Sequence, residues 1–304
     1  MAFNSSSDIQ FSIIPEVTLG VTPNGGTDDR YELPIKTGAS VPVLKGNEIK
    51  SDTMRPNRAS AGSRRGNKSG DGSFDFRFQS CDAIDLLISS ALSNAWADVS
   101  GVDTILAGKT DKSFSVVSAL SSTMYSTSAG CVASSMKLDG SAGKEVNCSF
   151  DFVFISQTNG GTNNTNTITS VGATTEFVGG EVTIDVAGQT LKHTEFSLEI
   201  SQDRAMRDIL GSFTPAGVAS TGLRGVKLTV KAFRESFAID SAITGAPQVV
   251  TITIGTVGDG YKITIPAANG MVPYNETAES MMVVLEFSGG YDDTATTDLK
   301  IEKL

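Results

Sequence analysis

The sequence predicts a mainly β fold with one flanking α-helix. Three observations carry that expectation: apolar and polar residues alternate with period two in several stretches, 31 glycines and many Ser/Thr/Asn clusters punctuate the chain, and one stretch alone has clear helical spacing. With 304 residues, 39% hydrophobic and 19% charged, the chain suits one large all-β domain or two smaller ones. Area scaling lets about three quarters of the unfolded surface be buried without disulfide or metal staples.

The elements follow in chain order. In Ser73 to Phe78, the phenylalanines Phe74, Phe76 and Phe78 share one face of a strand and Asp75 and Arg77 the other. Ile84, Leu87, Ile88, Ala91 and Leu92 lie at i, i+3, i+4, i+7 and i+8, predicting a helix over 82–92 that packs across a sheet edge, with Ser80 as its N-cap and Asp82 and Asp85 near its first turn. Glu145 to Phe154 is the clearest strand: Val146, Cys148, Phe150, Phe152 and Phe154 oppose Glu145, Asn147, Ser149 and Asp151. From 156 to 175, nine Ser/Thr, four Asn and three Gly read as a linker or outer loop too polar to pack. Phe196, Leu198 and Ile200 alternate with Glu195, Ser197 and Glu199, and Val226, Leu228, Val230 and Ala232 with Lys227, Thr229 and Lys231. Asp203 to Leu210, ended by Gly211, reads as a second short helix. The halves look loosely alike without a strict repeat.

Candidate chemistry is sparse. The longest apolar stretches fall far short of the roughly 20 residues that span a bilayer, so no membrane partner is expected. The first residues lack a secretory pattern, giving an expectation of cytoplasmic synthesis. Cys81, Cys131 and Cys148 are odd in number and widely spaced, and read as small apolar fillers. A lone histidine, His193, argues against zinc chemistry and a histidine relay. Asp82/Asp85 and Asp292/Asp293 are explained by helix capping and a turn rather than by a catalytic dyad. The glycine-rich stretches 62–72 and 255–260 lack the phosphate-loop order. Neither an enzyme nor a cofactor is expected.

Charge is uneven. The net charge is −10, yet residues 45–77 hold eight of the 24 basic residues against four acidic ones, leaving 16 basic and 30 acidic, net −14, elsewhere. No aromatic lies between Lys45 and Gly72 for base stacking. The segment reads instead as a protruding basic hairpin between strands at 39–45 and 73–79. Its Lys45, Lys50, Arg55, Arg58, Arg64, Arg65 and Lys68 are candidates to dock on the acidic body of another copy.

Ile14 to Pro23, with Glu16, Thr18, Gly20 and Pro23, resembles the Glu-x-Thr-x-Gly-x-x-Pro opening of major tail tube proteins from long, flexible-tailed bacteriophages. Glu48-Ile49-Lys50-Ser51-Asp52 with Arg55 and Arg58, the strand 73–78, the helix near 82–92 and Trp96 continue the likeness in order. The second half is similar more loosely, through Ile209 to Pro215, Gly222, the strand 226–234, Gly258 to Pro266 and Leu299 to Leu304.

The resemblance implies a two-sheet β-sandwich or partial barrel with a flanking helix, assembled into stacked rings around a DNA channel. Homohexameric rings, or trimers with pseudo-six-fold symmetry, would contact one another and other tail proteins within the virion, after synthesis in the bacterial host cytoplasm. It implies an N-terminal arm (1–30), a first half (31–155) carrying the 45–72 hairpin, a linker or outer loop (156–180) and a second half (181–304). Viral DNA would pass without specific binding. A basic lumen would grip phosphates, so Glu145, Asp151, Glu195 and Glu199, on the polar faces of the best strands, are candidate lumen residues. The competing class is a secreted or surface-displayed, adhesin-like β-sandwich module. It leaves unexplained the ordered motifs and the scarcity of aromatics, one Trp and five Tyr, for sugar stacking.

Overall fold

Alternating strands bury one face only when a second layer covers it, and two sheet layers with one helix meet that need here. The computed structural model describes residues 9–26, 29–36, 39–53, 62–172, 175–234, 246–271, 274–277 and 281–304. It is mainly β and sandwich-like, with sheets that do not close.

The main sheet runs, neighbour by neighbour, through Val43–Lys50, Ser63–Arg77, Asn147–Phe154, the C-terminal part of Met124–Ser141, His193–Ser201, Gly225–Phe233 and Met281–Gly290. Ala267–Gly270 and Tyr274–Thr277 follow one another along the far side of Met281–Gly290. Its inner face carries the predicted alternation: Phe74, Phe76, Phe150, Phe152, Phe196, Leu198, Ile200, Val226, Leu228 and Val230 are buried in one core.

Two smaller sheets cover that face. One joins Gln10–Pro15 to Arg30–Glu32 and Phe114–Ser121, and continues through the N-terminal part of Met124–Ser141 to Ser156–Gly160. The other joins Val182–Val186, Gln248–Thr256, the start of Asp259–Gly270, Lys300–Lys303 and Val102–Leu106. Aromatic contacts fasten the layers: Phe11 meets Phe74 edge-on at 5.8 Å, Phe114 meets Phe152 at 5.7 Å, and Phe78 meets Tyr261 at 5.1 Å.

The pairing scheme occurs twice. Gln10–Pro15 pairs with Phe114–Ser121, which pairs with Met124–Ser141; that strand crosses into the main sheet, meets Asn147–Phe154, and so reaches the Val43–Lys50/Ser63–Arg77 hairpin. In the second half Val182–Val186, Gln248–Thr256, Asp259–Gly270, Met281–Gly290 and the His193–Ser201/Gly225–Phe233 hairpin connect in the same way. The first crossing strand bends at Gly130, whose φ of 69° suits glycine.

The structure corrects several expectations. The helix Asp82–Leu92 has the predicted buried stripe, but its N-cap is Cys81, with no side-chain cap bond, rather than Ser80. The residues read as a second helix contain the strand Arg204–Arg207, paired with Gly217–Ser220, because a hairpin partner outweighs weak local spacing. The hairpin's strands start later than 39 and run deep into the basic segment itself, pairing out to Lys50 and Ser63. The polar run from 156 also packs. Ser156–Gly160 and Ile168–Thr169 are strands, and the side chains of Asn163, Asn164 and Asn166 bond to Arg30, Pro23, Gly25 and Gly26.

Candidate assembly surfaces

The outer face of the main sheet is polar across its strands. The register sets Asp151 opposite Ser73 and Ser135, Glu199 opposite Lys137 and Lys227, and Glu195 opposite Ser141 and Lys231. Three of the four candidate lumen acids therefore share one face. Glu145 joins them at its margin through Arg77, 3.3 Å away, which also holds Glu176 at 2.6 Å.

The charge on this face is mixed. Asp71, Asp75, Asp139, Asp151, Glu195, Glu199 and Glu286 alternate with Lys45, Arg77, Lys137, Lys227 and Lys231, an excess of two acids over five bases. Neighbours pair at 3.4 Å (Lys45 with Asp71), 2.8 Å (Lys137 with Asp139) and 4.0 Å (Lys227 with Glu286). Such exposed pairs add little stability; their consequence is a face that is nearly balanced over short distances.

The basic hairpin is an antiparallel ribbon, with Glu48 opposite Arg65, Ile49 opposite Arg64 and Lys50 opposite Ser63. Lys45, Lys50, Arg64 and Arg65 are exposed and Lys68 is half-buried. Arg55 and Arg58 lie outside the described residues. The ribbon leans on the second hairpin's connection through the Lys68 N–H, which donates to Phe213 O at 3.0 Å. That connection lies on the body. The Arg204 side chain, fully buried, donates to Asp111 at 2.6 Å and to Ala133 O at 3.2 Å, while Arg224 makes a bidentate pair with Asp298 at 2.7 and 3.1 Å.

Two sites escaped the sequence reading. The Glu16 carboxylate accepts the Gly20 N–H and the Gly130 N–H, each at 2.8 Å, and the Ser115 hydroxyl at 2.5 Å. Ile155 packs against both glycines, where a Cβ would collide with it. The Glu-x-Thr-x-Gly run is thus a clamp that fixes the first turn to the bend of the crossing strand. Its signal was an acid four residues before a glycine, without any indication of the distant partner.

The second is Asp85, expected to serve the helix terminus. It is buried instead, accepting the Tyr261 hydroxyl at 2.8 Å and pairing with Lys303 at 2.7 Å. Burial pushes its carboxyl above the usual range, against the opposing pull of Lys303. Lys303 also lies over the Trp96 ring, 5.1 Å from its centroid, and the Trp96 indole donates to Asp85 O at 3.0 Å. This node ties the helix to the second half.

The half-buried His193 has Nδ1 3.2 Å from Leu191 O. Cys131 and Cys148 are buried free thiols raised well above their ordinary pKa by burial, which suits fillers rather than nucleophiles. Among the described residues no group of three or more His, Cys, Asp or Glu is arranged to hold a metal, and no helix is long and apolar enough to cross a membrane. Exposed large apolar side chains include Val17, Leu210, Phe213 and Leu223. Strand edges left unpaired among the described residues, together with these exposed apolar side chains, suit a structural subunit that joins others.

The family comparison agrees with that class. The family model described as phage tail tube protein matches residues 6–289, and the chain belongs to this family. No curated protein matches it in sequence. It is accordingly a structural phage tail protein.

Proposed function

We propose that the chain polymerises as stacked rings into the phage tail tube, and that the polar face of the main sheet lines the channel through which DNA passes into the host cell. The observation that carries this reading is the single polar face shared by Asp151, Glu195 and Glu199, with Glu145 at its margin, backed by a continuous core on the opposite side. A wall of closely alternating charges with a small acidic excess offers no run of phosphate ligands, so DNA slides past without counterion-releasing contacts. The basic hairpin and the N-terminal residues reach neighbouring copies, with six-fold or pseudo-six-fold rings and other tail proteins as partners in the virion. The layout of an arm (1–30), two tube-forming halves and an outer segment at 156–180 belongs to the same proposal.

Negative-stain microscopy of the purified protein tests assembly, with rings or tubes expected and isolated particles at high concentration refuting it. Lining of the channel is tested in phage carrying Glu145→Lys, Asp151→Lys, Glu195→Lys and Glu199→Lys, which add about eight charge units per copy by simple counting. Ejection should slow at low salt and recover as salt rises. Normal low-salt ejection from intact tails removes these residues from the channel.

A further inference from the structure

We infer that the chain closes an amide bond within itself, from Lys303 Nζ to Asp85 Cγ, with loss of water. The bond is a modification of the single chain, independent of how copies assemble. It ties the helix of the first half to the last strand of the second.

Four features meet at this pair. The Asp85 side chain is only 11% exposed, whereas the acids of the lysine pairs on the main sheet, Asp71 and Asp139, are 68% and 42% exposed. Both carboxyl oxygens are held: Oδ2 lies 2.7 Å from Lys303 Nζ, and Oδ1 accepts the Tyr261 hydroxyl at 2.8 Å. A second carboxylate, Asp103, lies 3.5 Å from the same Nζ. Aromatic rings wall the group, with Trp96 under Nζ and Phe78, Trp96 and Phe177 packed around Tyr261.

In water an ammonium and a carboxylate stay charged and do not condense. Burial favours the neutral form of each partner and raises the Asp85 carboxyl. On Lys303, burial acts toward the free amine, but the bonds to Asp85 and Asp103 outweigh it and keep the proton chiefly on nitrogen. The reacting form is the minor one in which a proton has crossed from Nζ to Oδ2, a transfer that leaves the total charge of the pair unchanged.

The free amine then attacks Cγ, and the Tyr261 hydroxyl stabilises the negative charge that develops on Oδ1. Asp103 takes a proton from the newly bonded nitrogen and passes it to Oδ2. The Cγ–Oδ2 bond breaks and the oxygen departs as water, so one amide and one water replace an acid and an amine, and nothing is oxidised or reduced. A cavity of about 230 Å³, lined by Tyr31, Ser80, Asp82, Asp85 and Lys303 among others, gives that water a way out. The fold supplies the proximity that free groups lack. Because the proton rests chiefly on nitrogen, closure is slow: the freshly folded chain carries the ion pair, and Asp85 titrates as a free carboxyl until the bond forms.

The test is a peptide map of the full chain by mass spectrometry, fresh and after incubation at growth temperature. Closure lowers the intact mass by about 18 Da, one water. Trypsin cuts the open chain after Lys300 and Lys303, whereas an acylated Lys303 resists cleavage, so 301–304 should appear attached to 78–109 with the branch on Asp85. The linked fraction should grow with time. The denatured chain, looped from 85 to 303, should then run faster on a gel. Lys303→Arg keeps the positive charge and should stay at full mass. Asp103→Asn keeps both reacting groups and should close about 100-fold more slowly, the low end of a general acid–base contribution, with Asp103→Glu recovering part of the rate.

Complete release of free 301–303 from wild type, both fresh and after incubation for as long as the fold persists, overturns the proposal. So does a branch on Asp82, Asp98 or Asp103, or closure at the same rate in urea-unfolded chain, which would owe nothing to the folded geometry. Closure of Asp103→Asn at the wild-type rate overturns the role given to Asp103. The wild-type map decides the bond by itself, whether or not a variant folds.

Discussion

The two halves share a pairing scheme and differ in how they fill it. The first is packed with aromatic rings laid over glycines: Phe154 faces Gly70 and Phe152 faces Gly72 across paired strands, with ring atoms where a Cβ would stand. The second uses β-branched and leucine side chains, among them Ile184, Ile252, Ile254, Ile263, Val230 and Leu285. Their hairpins differ as well, since the first presents an exposed basic ribbon and the second has its connection fixed to the body by the ion-paired Arg204 and Arg224. One topology therefore tolerates two packings, provided that period-two burial is kept. A ring on glycine fills its space with one large side chain, while paired aliphatics share the space among several.

That contrast predicts a difference in fragility. Phe152→Ala should cost about 3–5 kcal/mol, whereas Ile252→Val should cost about 0.5–1.5 kcal/mol, as read by denaturant unfolding. Equal losses would mean that the first half collapses around a missing ring and that the glycine–aromatic packing carries no special weight.

The Glu16 clamp belongs to the first half and sharpens the comparison further. Glu16→Ala leaves two backbone N–H groups without their acceptor and should cost about 2–3 kcal/mol. Glu16→Gln retains an acceptor oxygen and should lose less. Equal losses for the two variants would show that a neutral acceptor oxygen cannot stand in for the carboxylate, and wild-type Tm values for both would show that the clamp carries no weight.

Legibility in the sequence followed burial geometry. Strands with one wet face announced themselves, so Phe74 to Phe78, Val146 to Phe154, Phe196 to Ile200 and Val226 to Ala232 were readable from alternation, as was the helix from its stripe. Gln10–Pro15 was not, because Phe11, Ser12, Ile13 and Ile14 are all buried and leave no alternation. Polar residues at 156–169 hid strands because their side-chain amides and hydroxyls bond to the body instead of water. On the candidate face, sequence could name Glu145, Asp151, Glu195 and Glu199 as outward-pointing. The lysines set opposite two of them depend on register between strands distant in sequence.

The hairpins give a smaller contrast. Arg204→Ala should cost about 1–3 kcal/mol by leaving the Ala133 carbonyl and Asp111 without their donor, whereas Arg64→Ala, on the exposed ribbon, should stay within about 0.5 kcal/mol. A ribbon substitution that lowers the monomer's Tm as much as Arg204→Ala would place the ribbon in the folded body rather than at an assembly surface.

The smallest expected effect concerns the node where the halves meet. Asp85 comes from the first half, and Tyr261 and Lys303 from the second. Its folded-state pKa is raised by burial, so folding favours the protonated carboxyl. The stability it contributes is fully present below the unfolded value of about 3.9 and is lost as pH rises through the raised folded value. Asp85→Asn removes this titration while keeping an acceptor for Tyr261. The Tm of the variant minus that of wild type should therefore become more positive as pH rises from about 4 through that window, and then level off. The neutral amide gives up the ion pair with Lys303, which also faces Asp103 at 3.5 Å, so the comparison rests on the slope rather than the offset. A flat difference, or one that falls with pH, would mean that Lys303 outweighs burial and that the halves are held together here chiefly by charge.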